Sequence, residues 1–419
     1  MHEFKYQGDD LCGENVLIEK IAADVGTPFY VYSRKTLESH FRVFDTAFAA
    51  VPHITCYSAK SNANAAVLKV LSSLGSGVDV VSGGEIFRAL RAGVAPRKIV
   101  YSGAGKTGSE IEYALQSDIL QFNIESAQEL DLIDAVAAKA GKKARIALRV
   151  NPDVDPKTHP YISTGLKKNK FGLGIEDAGL EYARAAEKKS IEITGIACHI
   201  GSQITETGPF VDAVRRVRKF INELLGQGIR IRYLDLGGGL GITYDGETPP
   251  APAEYAAAII PEIQGLPCTL ILEPGRVIVG NAGILVSQVL YTKKSGAKNF
   301  IIIDAAMNDL VRPSLYDAYH EIRPVKKRQG ALISADVVGP VCESGDFMAR
   351  GRDVQDFVPG EYLAVMSAGA YGFSMSSNYN SRPRIPEVMV DESRYFVIRK
   401  RETYDDLVRN EVLPEHLRT

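Results

Sequence analysis

The sequence predicts a (β/α)8 TIM-type barrel followed by an all-β domain, on three observations. Eight short apolar or β-branched runs alternate with segments of helical period over about 220 residues, which suits a closed barrel better than an open doubly wound sheet. Beyond Gly275 the alternation stops, and strand-like runs follow one another without regular helices. The chain has 419 residues, too many for one ordinary core and enough for a barrel with a second domain.

Taken in order, residues 1–26 read as irregular. After Gly26-Thr27-Pro28 come the apolar run Phe29-Tyr30-Val31-Tyr32 and a helical pattern over 33–50. Barrel strands are expected at 54–58, 77–81, 99–102, 119–123, 144–150, 193–200, 231–236 and 268–273. The segments between them carry apolar residues at helical spacing, as in Ala127, Leu130, Ile133 and Ala137, or Val214, Val217, Phe220 and Leu224. One connection, 151–174, is long and holds a basic cluster, Lys167-Lys168-Asn169-Lys170. Loops of that length inside a compact domain are usually functional or mobile. The later strands are expected at 284–293, 299–304, 331–338 and 361–366. The resulting division is a barrel over 27–275 and a sandwich-like or Greek-key-like β domain made of 1–26 and 276–419.

Apolar residues make up 45% and charged residues 24%, the proportions of a soluble globular protein. A net charge of -2 gives no electrostatic footprint for nucleic acid or an anionic membrane. The polar start, Met1 to Asp10, lacks a signal-peptide pattern, and the expected location is the cytoplasm. Five cysteines lack CxxC spacing, so neither a metal site nor a disulfide framework is expected. Cys56, Cys198 and Cys268 lie in apolar runs and read as core; Cys342 lies in a polar loop.

Barrel active sites are built at the C-terminal ends of the strands. In order, those ends carry Lys60, Asp79, Ser102, Asn123, Arg149, His199, Asp235 and Glu273. Each alone reads equally well as a cap or a solvated loop residue; together they look like a catalytic mouth. Lys60 sits between strand 54–58 and a helical run over 62–74. A lysine held there reads either as a surface residue or as a nucleophile whose amine, once desolvated, condenses with a carbonyl. The seventh strand runs into Gly237-Gly238-Gly239-Leu240-Gly241, either a tight turn or a phosphate cradle, and barrels commonly bind phosphate after strands seven and eight. An imine-forming lysine, a phosphate cradle and Glu273 on the eighth strand together suggest pyridoxal 5'-phosphate. A carboxylate opposite the ring nitrogen keeps it protonated and strengthens the electron sink, which favours decarboxylation over racemisation.

These residues carry a resemblance. The chain resembles the fold-type III pyridoxal-phosphate decarboxylases, and within them those that act on diaminopimelate. The likeness runs through Tyr57-Ser58-Ala59-Lys60-Ser61-Asn62, His199-Ile200-Gly201-Ser202-Gln203, the glycine run, Glu273-Pro274-Gly275-Arg276, Arg312-Pro313-Ser314-Leu315-Tyr316, Cys342-Glu343-Ser344-Gly345-Asp346 and Ala370-Tyr371-Gly372. The resemblance implies decarboxylation of meso-2,6-diaminopimelate to L-lysine and carbon dioxide, with Lys60 holding the cofactor, His199 stacking on its ring and Glu273 pairing with its nitrogen. It implies a phosphate site from Ser202, Gly237, Gly238, Gly239, Gly275 and the backbone near Arg276, closed by Tyr371. It also implies that Arg276, Arg312, Tyr316 and Tyr371 contact the substrate, the arginines taking its distal carboxylate. Cys342, as proton donor, and Glu343, for the distal ammonium group, would come from the other subunit of a homodimer.

Relatives acting on ornithine, arginine, carboxynorspermidine or a D-amino acid are the alternative; they lack the same distal head and have no need of the Arg312 and Glu343 pairing. Glu273 argues against a racemase, and Cys342 against a non-catalytic pyridoxal-phosphate-binding protein.

Overall fold

The computed structural model describes residues 2–155 and 171–418. The basic cluster at 167–170 lies outside the described residues. The chain forms two compact units, Leu37–Val279 and Met1–Thr36 with Gly280–Thr419. They part at Thr36/Leu37 and Val279/Gly280, some residues beyond the expected 26/27 and 275/276.

The first unit is the barrel. Its strands are β1 (His53–Ser58), β2 (Gly77–Val80), β3 (Ile99–Tyr101), β4 (Gln121–Ile124), β5 (Ala144–Asn151), β6 (Ile191–Ala197), β7 (Tyr233–Asp235) and β8 (Thr269–Leu272). All pair in parallel and in chain order, and β8 pairs back onto β1 to close the ring. Residues of the strands are buried on both faces, which explains near-continuous apolar runs such as Ile99-Val100-Tyr101 and Leu270-Ile271-Leu272.

The loops leaving the strands are fixed by helix caps. Helix α1 (Ala65–Ser73) starts at Asn64, whose side chain accepts from Ala66 N at 2.9 Å. Helix α2 (Gly83–Arg91) starts at Ser82 and α4 (Ala127–Lys139) at Ser126, each accepting from the N–H three residues on. Between them α3 (Gly108–Gln116) has a full capping box, Thr107 with Glu110. Helices α5 (Ile175–Glu187), α6 (Gly208–Gly226) and α7 (Pro252–Ile263) follow β5, β6 and β7, and the helix expected over 33–50 runs Arg34–Ala47, ahead of β1.

The second unit holds a nine-stranded mixed sheet. Phe29–Ser33 belongs to it, running antiparallel to Gly283–Ser295 and parallel to Glu387–Asp391. With a side-chain period of two, Tyr30 and Tyr32 enter one buried cluster with Leu285, Val337 and Phe357, while Phe29 and Val31 enter another with Ile284 and Val388. Both faces are covered, so the strand reads as one apolar block. Residues 1–26 are not irregular: Phe4–Gln7, Asp10–Gly13 and Val16–Leu17 form an antiparallel sheet, followed by a helix over Ile18–Val25. Phe4, Leu11, Ile18 and Ile21 join the cluster of Phe29. Strands of two to four residues are too short to display alternation, which is why the sequence hides them. Among the described residues no helix is long and apolar enough to cross a membrane.

Candidate active site

Lys60 does not stand directly before α1. It sits in a single 3-10 turn, Ala59–Ser61, after β1. The Ser61 hydroxyl donates to Ser58 O at 2.7 Å and the Tyr57 hydroxyl to Asn62 O at 3.0 Å, tying the turn at both ends. Its side chain keeps 38% exposure, and Nζ donates to Asp79 Oδ2 at 3.0 Å. Asp79, at β2 and fully buried, also accepts from Ser58 Oγ at 2.7 Å, while its Oδ1 has no hydrogen-bond partner among the described residues.

Two more carboxylates are buried on the same barrel. Asp235 at the end of β7 accepts from Asn123 Nδ2 at 2.8 Å and from Gly237 N at 2.9 Å. Glu273 follows β8, with the Ser102 hydroxyl 3.5 Å from its Oε1. Asn123 donates also to Ser102 Oγ, at 3.1 Å, and so links the groups near the two acids. Burial raises both carboxyls above their usual range, and for Glu273 the charges of Asp235 and Asp79 add to it. The pair favours holding a proton because two buried carboxylates repel when both are ionised.

The glycine run is required by close approach. A Cβ on Gly238 would stand 2.2 Å from Glu273 O, and one on Gly239, at φ +116, 2.5 Å from Gly201 O. The run thus lets β7's exit lie flat against the loops after β6 and β8. Its N–H groups are partly used internally, Gly237 N by Asp235, Gly241 N by Ile204 O at 3.0 Å and Gly238 N by His199 Nδ1 at 3.2 Å. That contact makes Nδ1 the acceptor and places the ring proton on Nε2. His199 lies just past β6 rather than within it, and burial, with the Arg149 and Lys60 charges, pushes its pKa well below the usual value, leaving the imidazole neutral. Gly275 packs on the lysine turn, a Cβ there meeting the Ser58 Cβ at 3.1 Å. Arg276 is buried and donates to Ser202 Oγ at 3.1 Å and to the Tyr244 hydroxyl at 2.6 Å. Tyr244 escaped the sequence reading because it stands in the loop between β7 and α7, where no periodicity marks it.

The mouth holds further ion pairs. Arg149 at the end of β5 donates to Glu125 Oε1 at 2.7 Å, and Glu125 Oε2 accepts from Gly172 N at 2.8 Å. Lys106 is sealed on Glu129, Gly103 O and Asn123 O.

The second unit arranges its own residues. Arg312 is buried and starts a short helix, Arg312–Tyr316, with Tyr316 half-buried. Arg312 Nη1 lies 3.0 Å from His320 Nε2. Ser314 Oγ donates to Gly345 O at 2.5 Å, joining this helix to the 341–346 loop. In that loop Cys342 is exposed, with its N–H on Asn380 Oδ1 at 3.0 Å, and Glu343 accepts from the Tyr379 hydroxyl at 2.8 Å. Buried Asp346 holds the loop through Val341 N and Met307 N, each at 2.7 Å. Tyr371 has a left-handed backbone, φ +56, before Gly372, where a Cβ would stand 2.5 Å from Ala368 O. Cys56 and Cys198 are buried as expected, and Cys268 is half-buried.

The barrel residues fit pyridoxal 5'-phosphate. Asp79, Asp235 and Glu273 are three buried carboxylates, and burial with their mutual repulsion raises the pKa of Asp235 and Glu273. Such a cluster of acids is stabilised by a cation, which a protonated ring nitrogen beside Glu273 supplies. Lys60 offers an amine for the aldehyde, and Ser202 with Arg276 offers donors for phosphate.

Comparison with known proteins agrees. The model of the pyridoxal-binding domain of pyridoxal-dependent decarboxylases matches residues 34–280. The diaminopimelate decarboxylases of Aquifex aeolicus and Pseudomonas aeruginosa are each 50% identical to this chain, over 96% and 99% of both chains respectively. The solved structure of diaminopimelate decarboxylase from M. jannaschii matches with a TM-score of 0.94 at 39% identity, covering 99% of each chain. The Helicobacter pylori enzyme complexed with L-lysine matches with a TM-score of 0.91 at 44% identity, covering 94% of this chain and 98% of its own. A pyridoxal-fitting barrel mouth and full-length likeness lead to one conclusion: this chain belongs to the diaminopimelate decarboxylase family of pyridoxal-dependent decarboxylases.

Proposed function

We propose that the protein is a cytoplasmic, homodimeric, pyridoxal-phosphate-dependent carboxy-lyase that converts meso-2,6-diaminopimelate to L-lysine and carbon dioxide. The observation that carries this reading is Lys60, partly exposed and 3.0 Å from buried Asp79 on a barrel whose eighth strand is followed by buried Glu273. When bound, pyridoxal phosphate supplies an aldehyde for amines and a ring that withdraws electrons from the carbon losing its carboxylate.

The chain's residues do the rest. Lys60 would hold the cofactor through Nζ, and Asp79, 3.0 Å away, would orient that amine. Glu273 would pair with the ring nitrogen, where the negative charges of Asp235 and Asp79 that raise its own pKa also favour a protonated ring. His199, neutral, would stack on the ring without adding charge to it. Ser202, Gly239, Gly275 and Arg276 would hold the phosphate, with Gly237 and Gly238, whose N–H groups go to Asp235 and His199, shaping the cradle and Tyr371 closing over it. Arg276, Arg312 and Tyr316 hold the distal carboxylate, which bidentate guanidinium groups suit. Glu343 and Cys342 of the second subunit take the distal ammonium and return a proton to the carbon. The barrel is then the cofactor domain, and the β unit the substrate-reading and dimerising one.

A carbon dioxide release assay over meso-diaminopimelate, L-lysine, L-ornithine and L-arginine tests the substrate; diaminopimelate should be turned over fastest, and faster turnover of ornithine overturns the assignment. Mixing inactive Lys60→Ala and Cys342→Ala chains should restore part of the activity through hybrid dimers. No recovery despite proven subunit exchange removes the shared site.

A further inference from the structure

The Arg312 guanidinium is held by a histidine whose tautomer the surroundings dictate. His320 is fully buried, and its Nδ1 lies 2.8 Å from Met366 O, a carbonyl that can only accept. Nδ1 therefore carries the proton, and in a neutral imidazole Nε2 is then an acceptor. Nε2 faces Arg312 Nη1 at 3.0 Å, a group that can only donate. Protonation of the ring would set two donors against each other, so the arrangement selects the neutral form.

The backbone holds the ring in place. The carbonyl of His320 accepts from Arg352 Nη1 at 3.0 Å. The backbone carbonyl of the next residue, Glu321, accepts from Met366 N at 2.8 Å, and Ile322 pairs with Val365 in the sheet. Met366, the partner of the ring, is thus fixed to the segment that leads from the histidine into the short strand Ile322–Pro324.

Resting on the reading of Arg312 as the group that takes the distal carboxylate, we propose that His320 is a positioning residue that sets the plane of the Arg312 guanidinium for that carboxylate. A guanidinium is a rigid planar fork, so fixing one N–H fixes the direction of the others. A neutral acceptor does this without cancelling the positive charge. A carboxylate in its place, as Glu125 is for Arg149, would both orient the group and neutralise it.

The test compares two ligands of the holoenzyme that share an amine-bearing five-carbon chain: L-lysine, which has the head carboxylate, and 1,5-diaminopentane, which lacks it. Affinities are read from the change in the cofactor's visible absorbance. His320→Asn keeps a donor for Met366 O and removes the acceptor for Arg312. It should weaken L-lysine roughly tenfold, as for a lost charge-assisted hydrogen bond, and leave diaminopentane unchanged. His320→Gln, which reaches the Nε2 position with an amide oxygen, should recover part of the loss. Equal weakening of both ligands by His320→Asn means a merely structural role and overturns the proposal. Arg312→Gln separates the two levels. If it removes the preference for L-lysine while His320→Asn keeps it, the positioning role alone fails. If Arg312→Gln keeps the preference, the reading of Arg312 fails and this inference with it.

Discussion

Two strand ends of the barrel begin alike and finish with opposite chemistry. From the end of β1 the chain reads Tyr57-Ser58-Ala59-Lys60-Ser61; from the end of β3 it reads Tyr101-Ser102-Gly103-Ala104-Gly105-Lys106-Thr107. Both lysines reach a carboxylate, Asp79 at 3.0 Å and Glu129 at 2.5 Å. Yet the Lys106 side chain is 1% exposed, against 38% for Lys60. Lys106 spends three N–H donors on Glu129, Gly103 O and Asn123 O, the last two at 2.7 Å, so its amine is a strut across the loops after β3 and β4. A nucleophile needs a reachable lone pair, and Lys60 has the reach. Exposure of the amine, rather than the flanking residues, separates the two side chains.

The glutamates beside them differ in the same way. Glu85 and Glu129 each stand three residues after a serine N-cap, and each accepts from a backbone N–H four residues back, Val81 N at 2.8 Å and Glu125 N at 2.7 Å. Glu129 has Lys106 against it. Burial lifts Glu85 to about 7, with the Asp79 charge adding to it.

The comparison breaks most sharply on Lys60→Ala. We expect loss of the visible absorbance of lysine-bound cofactor and a fall in turnover of about a thousandfold or more, with the melting temperature little changed. A variant that retains both turnover and absorbance makes Lys60 an ordinary surface lysine. Lys106→Ala should do the reverse. It leaves Glu129 buried beside the strand ends without its cation, at a cost of about 3–5 kcal/mol in denaturant unfolding, while the folded fraction still takes up cofactor. Unchanged stability with lost cofactor would exchange the roles.

The smallest effect concerns Glu85. Its folded pKa of about 7 lies above the usual 4.5, so the stability this group contributes is fully present below pH 4.5 and is lost as pH rises through 7. Glu85→Gln should flatten the stability profile across that window. A profile identical to the wild type there means that Glu85 titrates normally.

Much of the barrel is legible in the sequence because parallel strands buried on both faces leave continuous apolar runs, and the helices between them leave a period. The eight strand ends, and Lys60, His199, Asp235 and Glu273 at or just beyond them, follow from that rhythm. The N-terminal sheet does not, since Val16–Leu17 and its neighbours are shorter than any period. Phe29–Ser33 is visible as a strand but not as a member of the second unit, because its partners, Gly283–Ser295 and Glu387–Asp391, lie some 250 and 350 positions away.

By itself, then, the sequence determined where the strands end and which polar residues stand there, since local pattern and chemistry are carried by neighbours along the chain. Only the tertiary structure decided that Lys60 stays accessible while Lys106 is sealed, that the glycine run is pressed against Glu273 and Gly201, and that Tyr244 and His320 hold the two arginines. Those outcomes depend on burial and on hydrogen-bond partners brought in by other strands and loops, and no window along the chain contains them.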